Sequence, residues 1–248
     1  MTATELERAQ ALAGVSAPVH WHEVTGSTNA LAAELAEAGA PQWTLVGAGH
    51  QTAGRGRLGR TWVDQPGGAL MTSLVLRPAL APAALGLLTL LAGSAWAETV
   101  RDVTGLDVRC KWPNDLLVGD AKAGGVLAAS SVAAHEVRWV VIGSGLNLEA
   151  PDVAGSTGLG DPDPVELLGG FLSRVRQALA APPESLAVEV IARWSAVSAT
   201  LGRPVAAIGV DGVRLEGLAI AIDAFGRLIV ETADGPVAVT SEEVEHLR

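Results

Sequence analysis

The spacing of apolar and polar positions divides the chain into a long region of mixed helices and strands and a short tail of strands. Residues 1–16 carry apolar side chains at helical intervals and predict an amphipathic helix. Residues 19–24 alternate at period two and predict a strand. A helix is expected over 30–38, with Ser27, Thr28 and Asn29 standing where an N-cap belongs. Further strands are expected near 44–49 and 69–76. Residues 78–97 carry no charge, which raises the question of a membrane span. Pro82, Gly86 and Gly93 interrupt that run and alanine dominates it, so a buried helix over 83–103 is the expected reading. Beyond it, 108–111, 115–118 and 124–130 read as a strand and a hairpin turning at Gly119-Asp120. Residues 138–142 read as a short buried strand and 152–164 as loop, and two helices fit 165–180 and 183–201. From Arg203 onward, short strands turn at Asp211-Gly212, at 223–226 and at 233–235, the pattern of a small β-barrel of about 45 residues. The expected division is therefore 1–200 and 201–248.

Composition narrows the function. A chain of 248 residues with 49% hydrophobic content fills a sizeable core. Its 17 Lys and Arg against 27 Asp and Glu leave a formal charge of -10, which argues against a phosphate backbone as the main partner. The single cysteine, Cys110, cannot close an internal disulfide and suits a reducing cytoplasm. The N-terminus lacks the basic region and apolar core of a signal peptide. The five histidines offer no metal-ligand spacing beyond His20 and His22, which alternate on a strand and read as surface. No direct protein metal site is expected.

Against this acidic background, Gly54-Arg55-Gly56-Arg57-Leu58-Gly59-Arg60-Thr61-Trp62 concentrates three arginines between glycines. Arginine offers planar bidentate donors for phosphate or carboxylate, and glycine lets the backbone bend around a small anion. A solvated charge run is the plainer reading, and an RG-type nucleic-acid segment would repeat, whereas this one occurs once. A second group, Lys111-Trp112-Pro113-Asn114-Asp115, follows an alternating apolar stretch, so Lys111 ends a strand and Pro113 halts the pairing. The phosphate loop GxxxxGK[ST] is missing, and Gly143-Ser144-Gly145-Leu146-Asn147 lacks the third glycine of a dinucleotide fingerprint.

The ordered set resembles the biotin protein ligases: TGSTN at 25–29, HQTAGRGRxGRxW at 50–62, an SLxLRP-like stretch ending at Pro78, KWPND at 111–115, Lys-x-Gly-Gly-Val-Leu at 122–127 and GSGLN at 143–147. The match is strong over about residues 20–150. The resemblance implies an α/β (α+β) catalytic domain with a mixed sheet over 1–200 and an SH3-like C-terminal barrel over 201–248. It implies a two-step reaction. Biotin's carboxylate attacks the α-phosphate of MgATP to give biotinyl-5′-AMP and pyrophosphate. A lysine of a biotin carboxyl carrier domain of an acyl-CoA carboxylase then takes the biotinyl group and releases AMP. It carries over Lys111 and Arg57 as catalytic residues. Ser27, Thr28, Asn29, Gln51, Gly54, Arg55, Gly56, Arg57, Lys111, Gly124, Gly125 and Gly143 become biotin-binding positions. Arg55, Arg57, Arg60, Trp62, Lys111, Asn114 and Asn147 become ATP or adenylate positions, with Mg2+ entering on ATP. Asp115 is a candidate for orienting the carrier lysine. Taken alone, Ser27-Thr28-Asn29 reads equally as a helix cap. Some relatives carry an N-terminal DNA-binding domain; here TGSTN begins at Thr25, so DNA is not an expected partner, and with the uncharged run read as a buried helix a membrane is not one either. Gly124, Ala129 and Ser144 depart from the family pattern.

Overall fold

The computed structural model describes residues 1–209, 212–240 and 243–247. The elements of the larger unit are α1 (Ala3–Leu12), β1 (Val19–Thr25), α2 (Thr28–Glu37), β2 (Leu45–Gln51), β3 (Ala69–Leu76), α3 (Leu85–Thr104), β4 (Val108–Lys111), β5 (Asp115–Val118), β6 (Ala121–Ala133), β7 (Glu136–Asn147), α4 (Pro164–Ala180) and α5 (Pro183–Ala196). The seven strands form one sheet in the order β1-β2-β3-β7-β6-β5-β4. β1 and β2 run parallel and the other neighbours antiparallel, so the sheet is mixed as expected.

Both faces of the central strands are covered, and side chains alternate between two apolar clusters. Leu45, Leu74, Leu76, Val140 and Ile142 join the large cluster with α1, α3, α4 and α5. Val46, Val75 and Val141 face the other way and meet Ala32 and Ala36 of α2. β3 therefore reads as a nearly continuous apolar run, since both of its faces are buried. The uncharged run is α3, preceded by a 3-10 turn at Pro82–Ala84. It is long and apolar enough to span a bilayer, yet Trp96 is fully buried and stacks on Phe171 of α4 with ring centroids 4.1 Å apart. A core helix explains both its length and its composition.

Several boundaries moved. β6 and β7 are longer than the expected 124–130 and 138–142, because GSGLN, bracketed by β3 on one side and β6 on the other, continues the strand. α5 ends at Ala196 and not at 201. Residues 197–199 leave the helix and pair with the outer edge of β4, where Cys110 N donates to Val197 O and Ala199 N to Cys110 O, both at 2.8 Å. The linker thus caps a sheet edge that would otherwise stand open.

The C-terminal strands are β8 (Pro204–Ile208), β9 (Arg214–Ile222), β10 (Leu228–Thr232), β11 (Gly235–Val239) and β12 (Glu243–His246), an antiparallel sheet ordered β11-β10-β9-β8-β12. The turns at 223–226 and 233–235 are present. The expected turn at Asp211-Gly212 falls partly outside the described residues.

Candidate active site

The floor of the main cavity is set by register. β6 and β7 pair so that Gly125 lies opposite Gly145 and Leu127 opposite Gly143. Residues two apart share a sheet face, so these four form one patch, on the α2 side of the sheet. Side chains at 143 or 145 would not fit there. A Cβ at 143 would stand 2.6 Å from Asn29 Nδ2, and one at 145 would stand 2.7 Å from the Trp62 ring. Glycine in a central strand costs packing and marks a close approach; here it leaves a shallow slot. Ser144 points to the opposite face, where its Oγ accepts from Trp96 Nε1 of α3 at 2.8 Å. The serine that departs from the family pattern is thus the hydrogen-bond partner of a buried indole.

One end of the slot is closed by the start of α2. Ser27 occupies the N-cap position with extended backbone, but its side chain makes no capping bond. The first helical donor is satisfied from β2: Thr28 N and Oγ1 both donate to Gln51 Oε1, at 2.7 and 3.1 Å. Ser73 Oγ donates to Thr28 Oγ1, Gln51 Nε2 reaches Met71 Sδ, and Asn29 Nδ2 donates to Leu127 O at 3.0 Å. The expected cap is therefore corrected in its chemistry. An amide from another strand does the capping, and Ser27 is left lining the cavity with its hydroxyl.

The arginine loop is drawn into a tight ring. Gly56 N donates to Arg60 O at 2.7 Å and Trp62 N to Gly54 O at 3.0 Å, with Leu58 and Gly59 at positive φ making the reversal. Arg55, Arg57 and Arg60 all line the cavity, and Arg57 Nη1 donates to Asn114 Oδ1 at 3.3 Å. Trp62 packs its ring against Gly145, and its Nε1 is buried with no hydrogen-bond partner among the described residues.

Across the slot, the KWPND bend joins β4 to β5 through a cis Trp112–Pro113 peptide, and Lys111 and Asp115 pair in register across it. Lys111, Asn114 and Asp115 all line the cavity, and Asn114 Nδ2 is anchored on Val126 O at 2.9 Å. Lys122 stands beside them with Nζ 2.5 Å from Asp115 Oδ1 and 6.0 Å from the Trp62 ring centre. Its segment is visible in the sequence, but its ion pair is not, because Asp115 and Lys122 meet only through the β5–β6 pairing. Val244 of β12 also lines the cavity, and no sequence signal pointed to it. Among the described residues of the lining there are thus five cations, Arg55, Arg57, Arg60, Lys111 and Lys122, and one carboxylate, Asp115, in a chain of net charge -10.

Three expected site residues lie outside the lining. Gly54 closes the arginine loop, and a Cβ there would stand 2.6 Å from Trp62 O. Gly124 faces away from the slot and would meet Gly145 O at 2.8 Å. Asn147 is buried behind the wall, where Nδ2 donates to Lys122 O at 3.3 Å and to Thr157 O at 3.1 Å, so it supports Lys122. Cys110 is buried in β4; burial, with Glu98 adding to it, pushes its thiol well above the usual range, which leaves it no nucleophilic role.

A basic recess over a glycine floor, closed at one end by uncharged polar groups, defines a site for a molecule that is anionic at one end and neutral at the other. Residues 21–147 match the Biotin/lipoate A/B protein ligase family, and residues 200–247 match the Biotin protein ligase C terminal domain. The chain belongs to the biotin/lipoate A/B protein ligase family. It is 34% identical over 236 residues to the biotin–[acetyl-CoA-carboxylase] ligase of Paracoccus denitrificans, covering 89% of this chain and 97% of that one. It is 32% identical over 244 residues to the bifunctional ligase/repressor BirA of Bacillus subtilis, covering 91% of this chain and 73% of that one. Among solved structures, the Leishmania major biotin protein ligase in complex with biotinyl-5-AMP superposes with a TM-score of 0.63 at 25% identity, over 93% of this chain and 98% of that one.

Proposed function

We propose that the protein is an ATP-dependent ligase that activates biotin as biotinyl-5′-AMP and transfers it to a specific lysine of a biotin carboxyl carrier domain of an acyl-CoA carboxylase. The observation that carries this reading is the single cavity in which the glycine slot meets the five cations. A flat bicyclic ring fits over Gly125, Gly143 and Gly145, with Ser27, Thr28, Asn29 and Gln51 offering donors and acceptors to a ureido group. The carboxylate tail then reaches the cations.

Step one brings a carboxylate against an α-phosphate, and two anions meet only where fixed positive charge offsets their repulsion. Lys111 and Arg57 take that place as the catalytic residues. Lys111 bridges carboxylate and α-phosphate, and Arg57, braced by Asn114, holds the phosphate as pyrophosphate leaves. Arg55, Arg60 and Lys122 hold the remaining phosphate charge. The buried Trp62 N–H is a donor awaiting an acceptor on the nucleotide side. Mg2+ enters on ATP, and Asn114 and Asp115 present oxygen donors of the class it accepts. In step two the carrier amine attacks the mixed anhydride, and Asp115, displaced from Lys122, is positioned to orient it. Asn147 supports the nucleotide side through Lys122.

Residues 1–200 form the catalytic unit and 201–248 an SH3-like barrel, a reading supported by the separate antiparallel sheet. The buried, unpaired Cys110 fits a cytoplasmic enzyme. The test is incubation with biotin, MgATP and an isolated carrier domain. A mass increase of one biotin on one lysine, dependent on ATP, is the expected result; biotin-dependent ATP–pyrophosphate exchange reports step one alone. Absence of both would overturn the reading.

A further inference from the structure

We propose that His246, in the last described strand of the C-terminal sheet, is a positioning residue for Lys111, acting through a directed hydrogen-bond chain that runs from His246 through Thr200 to the Trp112 peptide. The Trp112 backbone N–H donates to Thr200 Oγ1 at 2.9 Å, and Thr200 Oγ1 lies 3.1 Å from His246 Nε2. Thr200 is fully buried. A hydroxyl that already accepts from the Trp112 N–H has one proton to give, and inside the protein that proton needs an acceptor. His246 Nε2 is the acceptor in reach, so the imidazole is neutral with its proton on Nδ1. The peptide held in this way is the one joining Lys111 to Trp112; fixing its plane fixes the direction in which the Lys111 side chain leaves β4.

One further contact acts on the same bend, and a second residue of the sheet reaches the cavity. Trp112 Nε1 donates to Gly226 O of the β9–β10 turn at 3.1 Å, and Val244, two residues before His246, lines the cavity. The C-terminal sheet thus holds the KWPND bend from behind at two points while one of its side chains enters the site.

The electrostatics agree with a neutral imidazole. Burial, and after it the nearby charges of Lys111 and Arg203, lower the His246 pKa to about 4 against the opposing pull of Asp120. A cation at 246 would repel Lys111 and take away the acceptor that Thr200 needs. Neutral histidine supports the bend without adding charge to a site whose cations are meant for the substrate.

The inference builds on the proposed ligase activity, but its central claim is tested without turnover. In protein labelled with 15N-histidine at pH 7, the His246 Nε2 signal is expected at the position of an unprotonated imidazole nitrogen; a proton on Nε2 would overturn the proposal. The sign of the pH effect follows from the lowered pKa. Between about pH 6.5 and 4 the unfolded chain binds a proton at this histidine that the folded protein refuses, so stability falls as pH drops through that window. His246→Gln, whose Oε1 can accept in place of Nε2, should lose that part of the decline; an unchanged profile would count against the chain.

For function, biotin-dependent pyrophosphate exchange and biotin Kd are measured for His246→Leu, His246→Gln, Thr200→Val and Thr200→Ser. Misplacing a reacting group by 1 Å costs about 10²-fold. His246→Leu and Thr200→Val are accordingly expected to lower kcat by about tenfold or more with biotin Kd nearly unchanged, while His246→Gln and Thr200→Ser stay within about threefold of wild type. Equal loss in His246→Gln and His246→Leu, or full kcat in a folded Thr200→Val, would overturn the positioning role. Failure of the wild-type protein to exchange pyrophosphate would instead sink the ligase reading, leaving the nitrogen signal and the pH profile to decide this one.

Discussion

Replacing Lys111 by alanine should separate activation from binding. Lys111 ends β4 and lines the cavity, and its ammonium carries no hydrogen bond or ion pair to any described residue; Asp115, the carboxylate among the described lining residues, is engaged by Lys122. Its charge is therefore unspent in the resting protein and available to the carboxylate–phosphate contact. Two unit charges 4 Å apart at an effective dielectric of about 20 interact by roughly 4 kcal/mol. Loss of one preorganised donor typically costs about 10²–10³ in rate, or roughly 2.7–4 kcal/mol, the same range. Lys111→Ala should accordingly lower biotin-dependent pyrophosphate exchange by about 10²–10³-fold. Biotin affinity should move by less than about threefold, since the slot over Gly143 and Gly145 is built by other residues. Stability should shift by less than about 1 kcal/mol, because the truncation strands no buried partner. The assay pairs isotope exchange with calorimetric biotin titration on the same preparation. Exchange within threefold of wild type, in a variant that still binds biotin, would refute the argument that this unpaired cation neutralises the reacting anions.

Arg57→Gly should form adenylate but release it early and label bystander lysines, because Arg57 and its Asn114 brace hold the phosphate of the intermediate; bystander labelling no higher than wild type would refute this. Ser144→Ala should destabilise the protein by about 1–3 kcal/mol in urea unfolding by stranding the buried Trp96 N–H, and should cost far less in a Trp96→Phe background; equal cost in both backgrounds would break the proposed pairing. Amides of residues 51–62 should exchange more slowly once biotin and ATP are added, since Arg55, Arg57 and Arg60 line the cavity and a bound anion adds contacts to the loop that carries them; equal protection with and without ligand would contradict it.

Legibility in the sequence followed the range of the interactions involved. β3, β4 and β5 fall at the boundaries read from the apolar pattern, because alternation and the Pro113 stop are local properties. The helix of residues 85–104 was legible as core because glycine, proline and alanine set it apart from a lipid-facing span. Ser27, Gln51, Arg55, Arg57, Arg60, Lys111 and Asn114 were all named from ordered motifs, and the fold brings them to one cavity. Asn147 was named from the same kind of signal and stands behind the wall, since a motif marks a residue without saying which way it points.

What the chain alone determined, then, was the order of elements and the stock of chemical groups, since spacing, turn residues and charge act over a few positions. Direction and partnership were decided by tertiary structure. Whether Gly143 and Gly145 face the slot while Ser144 faces Trp96 depends on the register of β7 against β3 and β6, and a one-residue slip would exchange the two faces. The capping of Thr28 by Gln51, the tie between Lys122 and Asp115, and the approach of Val244 and His246 to a bend more than a hundred residues earlier are contacts between segments remote in sequence. No local pattern specifies such contacts, because they form only when the packing of the whole core brings the surfaces that carry them together.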